Sequence, residues 1–160
     1  MALKPYRRVL DTCIDFFTDA VMERGGVVVL KTGGSGSAED QGEAVIAYQA
    51  NPSGYQPLGI LLQEVVDKDL TQTHLNFFKD EVQMGSKAAV MTKGVVVTDM
   101  IYPGLTVNAG DTAFLIGSGL LSTNQSSSPN STPEVGVFLS SKDENGFAKV
   151  SVNLPTGQAL

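Results

Sequence analysis

Short apolar runs rich in Val, Ile and Leu recur along the chain, each ended by Gly, Pro, Asn or Asp. Such runs, cut by turn formers, predict short β-strands joined by tight turns. The densest region lies between Gly54 and Gly119, where residues 58–66 are nearly all apolar and read as a buried strand. Lys93-Gly94 sits between Ala88-Ala-Val-Met91 and Val95-Val-Val97, so the two runs are expected to fold back on each other as a hairpin. Asn108-Ala-Gly-Asp111 predicts a turn into a strand over Thr112-Ala-Phe-Leu-Ile116. Upstream, Gly25-Gly26 opens a strand over 27–31, another follows over 44–48, and Asn51-Pro-Ser-Gly54 is a turn by residue type. Downstream, residues 135–139 form a strand and 140–146 a polar turn. Residues 147–152 then alternate, with Phe147, Lys149 and Ser151 on one side and Ala148, Val150 and Val152 on the other. This last hairpin completes a small, mainly β, single domain.

The ends and loops are less patterned. Residues 1–8 are polar and basic and contain Pro5, which predicts an extended arm that moves when nothing holds it. Residues 9–23 admit two readings. Ile14, Phe16, Phe17 and Val21 suit a short helix, whereas alternation at Thr12, Ile14 and Phe16 suits a strand. An extended segment to Phe17, then a turn or short helix, is the preferred course. The expected division is thus an arm and entry segment over 1–24 and one β domain over 25–160. That domain carries a polar connection at 67–80 and a mobile Ser/Asn/Thr-rich loop at 122–133.

Composition narrows the class. A chain of 160 residues suits one domain, and 42% hydrophobic with 18% charged residues is a globular balance. The net charge of -6 argues against a nucleic-acid surface, because affinity for phosphates rests largely on Lys and Arg. With one cysteine, Cys13, no intrachain disulfide is possible. Val27-Val-Val-Leu30 is too short to span a bilayer, and the first residues lack a secretion signal, so no membrane is expected and synthesis in a cytoplasm is.

The search for chemistry ends without a constellation. His74 is the only histidine, and its neighbours are not ligand-type partners at useful spacing, so neither a metal site nor a catalytic triad assembles around it. Cys13 has no basic neighbour in sequence and reads as a small buried residue. The loop Thr32-Gly-Gly-Ser-Gly-Ser37 lacks the Gly-Lys-Ser/Thr ending of a phosphate loop. Carboxylate pairs such as Asp67/Asp69 and Asp80/Glu81 read as solvated loop residues, and no Asp-x-Asp-x-Asp-Gly calcium loop occurs. No catalytic residue, metal or cofactor is expected. One alternative comes from another class, a biotinyl- or lipoyl-like carrier or small-ligand domain of a metabolic enzyme: Met91-Thr-Lys-Gly94 loosely resembles the hairpin lysine of biotinyl and lipoyl carrier domains. Here Thr92 and Gly94 flank Lys93, and neither carrier motif is met.

A broader resemblance rests on motifs in order. They are Arg24-Gly-Gly-Val-Val-Val29, Pro57-Leu-Gly-Ile-Leu-Leu-Gln-Glu-Val-Val66, His74-Leu-Asn-Phe-Phe78, Val90-Met-Thr-Lys-Gly94, Ala109-Gly-Asp111 and the segment from Val135 to Val150. Over about 14–154 the chain resembles the head decoration, or cement, proteins of tailed bacteriophages, including cyanophages. The resemblance implies a small, non-enzymatic, mainly β structural protein with a compact barrel or tulip-like fold. It implies a place on the outer surface of the capsid, as a homotrimer bound to the major capsid protein and stabilising contacts between capsomers. The long 122–133 loop departs from that pattern. On this reading Lys4, Arg7, Arg8, Ile14 and Phe16 form a capsid-binding arm that adds a strand to the capsid protein and can be removed without unfolding the domain. His74, Leu75, Phe77 and Phe78 form a loop that contacts other subunits or the capsid. A tail or baseplate component is a third reading.

Overall fold

The structure, a computed structural model, describes residues 3–31, 45–52, 54–64, 81–82, 84–85, 87–124 and 132–154. Every regular element among them is a strand. In chain order these are β1 (Leu3–Thr18), β2 (Met22–Glu23), β3 (Val27–Leu30), β4 (Val45–Ala47), β5 (Pro57–Glu64) and β6 (Glu81–Val82). They continue with β7 (Lys87–Thr98), β8 (Thr112–Gly117), β9 (Leu120–Ser122), β10 (Glu134–Phe138) and β11 (Ala148–Asn153). Five strands close a barrel in the order β1-β4-β3-β5-β7, with β7 returning to β1. A short parallel contact, Phe17 opposite Val45 and Thr18 opposite Ile46, makes the closure. From β7 the sheet also continues outside the barrel through β11, β10, β8 and β9. The pair β2–β6 forms a separate two-stranded ladder.

β7 is the strand on which both halves depend. Along one edge it pairs with β1 throughout, from Leu3 opposite Thr98 to Phe17 opposite Lys87. Along the other edge it changes partner. Ala88–Met91 pair with β5, and Lys93–Thr98 pair with β11. Thr92 lies at the change: its carbonyl accepts the Leu154 N–H at 2.8 Å, and its hydroxyl donates to the Asp11 carbonyl at 3.3 Å. Against β1, Thr92 is an extra residue between Met91 (opposite Thr12) and Lys93 (opposite Asp11). Such a bulge shifts the strand's phase by one position. Ala88 and Val90 therefore face one core, and Val96, two turns of the pleat beyond the bulge, faces another.

The two cores follow from this. Val28, Ile46, Leu61, Ala88 and Val90 fill the barrel, with Met22 and Val82 of the small ladder packed among them. The second core lies between the barrel wall and the outer strands. It gathers Val27, Val29, Ile60 and Met91 from the wall with Leu115, Leu121, Val135, Phe138, Val150 and Leu154. β3 and β5 divide the cores and are buried on both sides, which is why Val27-Val-Val29 and Ile60-Leu-Leu62 are unbroken apolar runs. Ala148, Val150 and Val152 point inward, as the alternation requires. Tyr48 ties the halves together. Its hydroxyl donates to the Glu23 carbonyl and accepts the Gly26 N–H at 3.1 Å, while its ring lies where a Cβ on Gly26 or Gly119 would stand.

Three expectations change. Lys93-Gly94 is not a reversal: residues 87–98 form one strand, and Gly94 (φ +148°) lets the Arg8 carbonyl of β1 come close to it. The preferred turn or short helix after Phe17 is a bend followed by β2. The division at residue 24 also falls away. Residues 3–18 form the longest strand among those described, and Leu3, at 4% exposure, belongs to the second core. A basic, Pro-containing segment reads as a loose arm in sequence, but β7 offers it a full edge of backbone donors and acceptors. The turns at 108–111 and 140–146 are as expected. Asp111 accepts the Asn108 N–H at 2.8 Å through its carboxylate, and Asp143 accepts the N–H groups of Asn145 and Phe147, both at 2.9 Å. The 32–37 loop and positions 125–131 of the 122–133 loop lie outside the described residues.

Candidate functional site

The expected arm residues do not form one set. Lys4 is used within the molecule: its ammonium meets the Asp143 carboxylate at 3.0 Å and lies 4.4 Å from the centre of the Phe147 ring. The Arg7 backbone stands opposite Val96. Arg8 is exposed opposite Val95. Ile14 and Phe16 were expected on the same side of a strand. An extra β1 residue between Cys13 (opposite Val90) and Phe16 (opposite Ala88) breaks that alternation. Phe16 and half-buried Cys13 pack on the barrel core, and Ile14 is 46% exposed. His74, Leu75, Phe77 and Phe78 lie outside the described residues. Among the described residues no group of three or more His, Cys, Asp or Glu is placed to hold a metal ion.

Lys4 holds the Asp143 carboxyl below the usual carboxylate range, helped by the Phe147 and Asn145 amides. In Lys4→Ala the Asp143 carboxyl is expected to titrate at higher pH, which carbon-detected NMR reads directly. A carboxyl depressed by folding contributes stability above its unfolded pKa and loses it as pH falls through its folded one. Wild type should therefore exceed Lys4→Ala in stability at neutral pH and converge with it in acid. An unchanged Asp143 titration would show that Lys4 makes no such contact in solution.

The registry brings together a different surface. Residues directly opposite in antiparallel strands share a face. Arg8, Val95, Ser151, Val137 and Thr112 are linked in this way across β1, β7, β11, β10 and β8. Beside them run Asp11, Lys93 and Asn153, then Val97 and Lys149, with Leu139 joined to Lys149 by an N–H to carbonyl bond of 2.7 Å. Their neighbours in sequence, Val96, Val150, Val152 and Phe138, are the buried ones, so these rows face outward. Arg8, Leu10, Lys93, Val95, Ser151 and Asn153 line a shallow groove on this face. Leu10 is the unmatched residue of a second bulge, between Val9 and Asp11, and is 67% exposed. The sequence carried part of this signal in the alternation of Lys149 and Ser151. The expected reversal at Lys93-Gly94 hid the rest, because it separates Lys93 from Val95 and Val97.

No protein-family model matches the chain, and no curated protein matches it either.

Proposed function

We propose that the protein is a structural decoration protein of a tailed-phage head, bound to the outer surface of the capsid as a homotrimer and reinforcing contacts between capsomers. It acts by binding and carries no catalytic centre or cofactor. The observation that supports this most directly is where the apolar residues lie. The barrel interior is occupied by the domain's own side chains, while Val95, Val97, Val137 and Leu139 stand at outward positions of the sheet. A module arranged in this way works through its outside. The resemblance in motif order then supplies the setting. The carrier reading needs a lysine at a hairpin tip, and Lys93 lies within β7, opposite Asp11 on one edge and Asn153 on the other.

Cryo-electron microscopy of virions from the phage that encodes the chain tests the proposal. The expected result is density for three copies around three-fold or quasi-three-fold positions of the head. Density confined to the tail or baseplate, or isolated monomers away from these axes, would overturn it.

A further inference from the structure

We infer that Asn145 is a site of spontaneous covalent modification, and that the turn at 143–147, held by Lys4 from the start of β1, keeps the reaction slow in the folded protein. Asn145-Gly146 is the chain's only Asn-Gly pair, and Asn145 is exposed. In such a pair the glycine nitrogen can attack the asparagine side chain, because glycine has no side chain to obstruct the approach. The Gly146 nitrogen bonds to Cγ of Asn145, and the Cγ–Nδ2 bond breaks. The proton that leaves the Gly146 nitrogen departs with that amide as ammonia. The cyclic imide then takes up a water at either carbonyl and opens to aspartate or isoaspartate. Nothing is oxidised or reduced.

The folded turn opposes this attack. The Gly146 N–H donates to the Asp143 carbonyl at 3.0 Å, and the Asp143 N–H donates to the Phe147 carbonyl at 2.8 Å. The Asp143 carboxylate accepts the N–H groups of Asn145 and Phe147, both at 2.9 Å. To attack, the Gly146 nitrogen must give up the proton engaged in the first of these bonds. The peptide plane between Asn145 and Gly146 must also rotate away from the Asp143 carbonyl. The reaction therefore runs through the open turn, at a rate set by the population of that opening. Lys4 bears on the opening from the far end of the chain. Its ammonium meets the Asp143 carboxylate at 3.0 Å and lies 4.4 Å from the centre of the Phe147 ring. Undocking the start of β1 loosens the turn, and the change that follows is one-way. Either product adds a carboxylate beside Asp143 and Glu144. Isoaspartate also lengthens the main chain, which takes the Gly146 N–H away from the Asp143 carbonyl.

Peptide mapping by mass spectrometry tests this, on the full chain incubated at neutral pH beside a synthetic peptide of residues 140–150. The readout is conversion of Asn145 to aspartate and isoaspartate over time. The folded wild type is expected to react at least about tenfold more slowly than the peptide, since the turn must open first. Asp143→Ala removes the acceptor of two amides and should recover at least about tenfold in rate. Lys4→Ala should accelerate the reaction by roughly two- to fivefold, the range that loss of an exposed ion pair allows. The control is Lys31→Ala, which breaks the surface pair of Lys31 with Asp19 and should leave the rate unchanged. Circular dichroism shows that each variant is folded, and should one of Asp143→Ala and Lys4→Ala unfold, the other decides. A folded wild type that reacts as fast as the peptide overturns the inference. So does a rate that neither Asp143→Ala nor Lys4→Ala raises. Lys4→Ala at the wild-type rate, or Lys31→Ala accelerated as much as Lys4→Ala, overturns the part given to Lys4.

Discussion

Deleting residues 1–11 is expected to unfold the domain. The sequence by itself points the other way, to a dispensable arm whose loss weakens capsid binding and leaves the fold intact. The pairing reverses that expectation. The deletion removes Leu3 from the second core and takes away the partners of Thr98, Val96, Val95, Gly94 and Lys93 along one edge of β7. Burial of a leucine side chain contributes roughly 1.5–3 kcal/mol. Each backbone hydrogen bond lost from the ladder removes about 0.5–1.5 kcal/mol more. Several such bonds together with Leu3 approach the roughly 5–15 kcal/mol that holds a domain folded. The truncated chain should therefore lose its cooperative thermal transition or melt far below the full chain. If it instead keeps the wild-type circular dichroism and melting temperature, β1 up to Asp11 is not an integral strand, and the arm reading returns.

How much of this was legible in sequence varies by element. The strands of the second core were, because Val27–Leu30, Glu134–Phe138 and Ala148–Asn153 each carry apolar runs or strict alternation between turn formers. The turns at Asn108–Asp111 and around Asp143 were legible because their side chains make local hydrogen bonds. β1 was legible only as an extended segment up to Phe17; its place inside the sheet was not, because its partner β7 is far away in sequence, as in Arg8 opposite Val95. Its bulges at Leu10 and before Phe16 also scramble the alternation that would mark a strand. Tyr48 carries no local signal, since its role depends on Gly26 and Gly119 being close in space. The outward face was hidden for the same reason: one glycine can turn a chain or merely let another strand come near. Lys-Gly between two apolar runs is consistent with both.

Gly94 is consequently a position where a single methyl group should do serious harm. Its φ of +148° lies in a region that residues with a Cβ rarely adopt. A Cβ added there would stand 2.2 Å from the carbonyl oxygen of Arg8 and 2.7 Å from the Met91 sulfur. The methionine can swing away, but the carbonyl belongs to β1 and moves only if the β1–β7 ladder opens. Backbone strain of this kind costs about 1–3 kcal/mol, and overpacking adds about 1–3 kcal/mol. Gly94→Ala should therefore lose roughly 2–6 kcal/mol in urea denaturation, about the sum of those two costs. Gly146→Ala is the control. Its φ is +85°, but nothing lies within 4 Å of an added Cβ, so it bears conformational strain without a clash. Strain alone is worth about 1–2 kcal/mol. If Gly94→Ala proves no more destabilising than Gly146→Ala, the close approach of β1 to β7 at this point is wrong. The account of Thr92 and Gly94 as the place where one strand serves both a barrel and an outer sheet would fail with it.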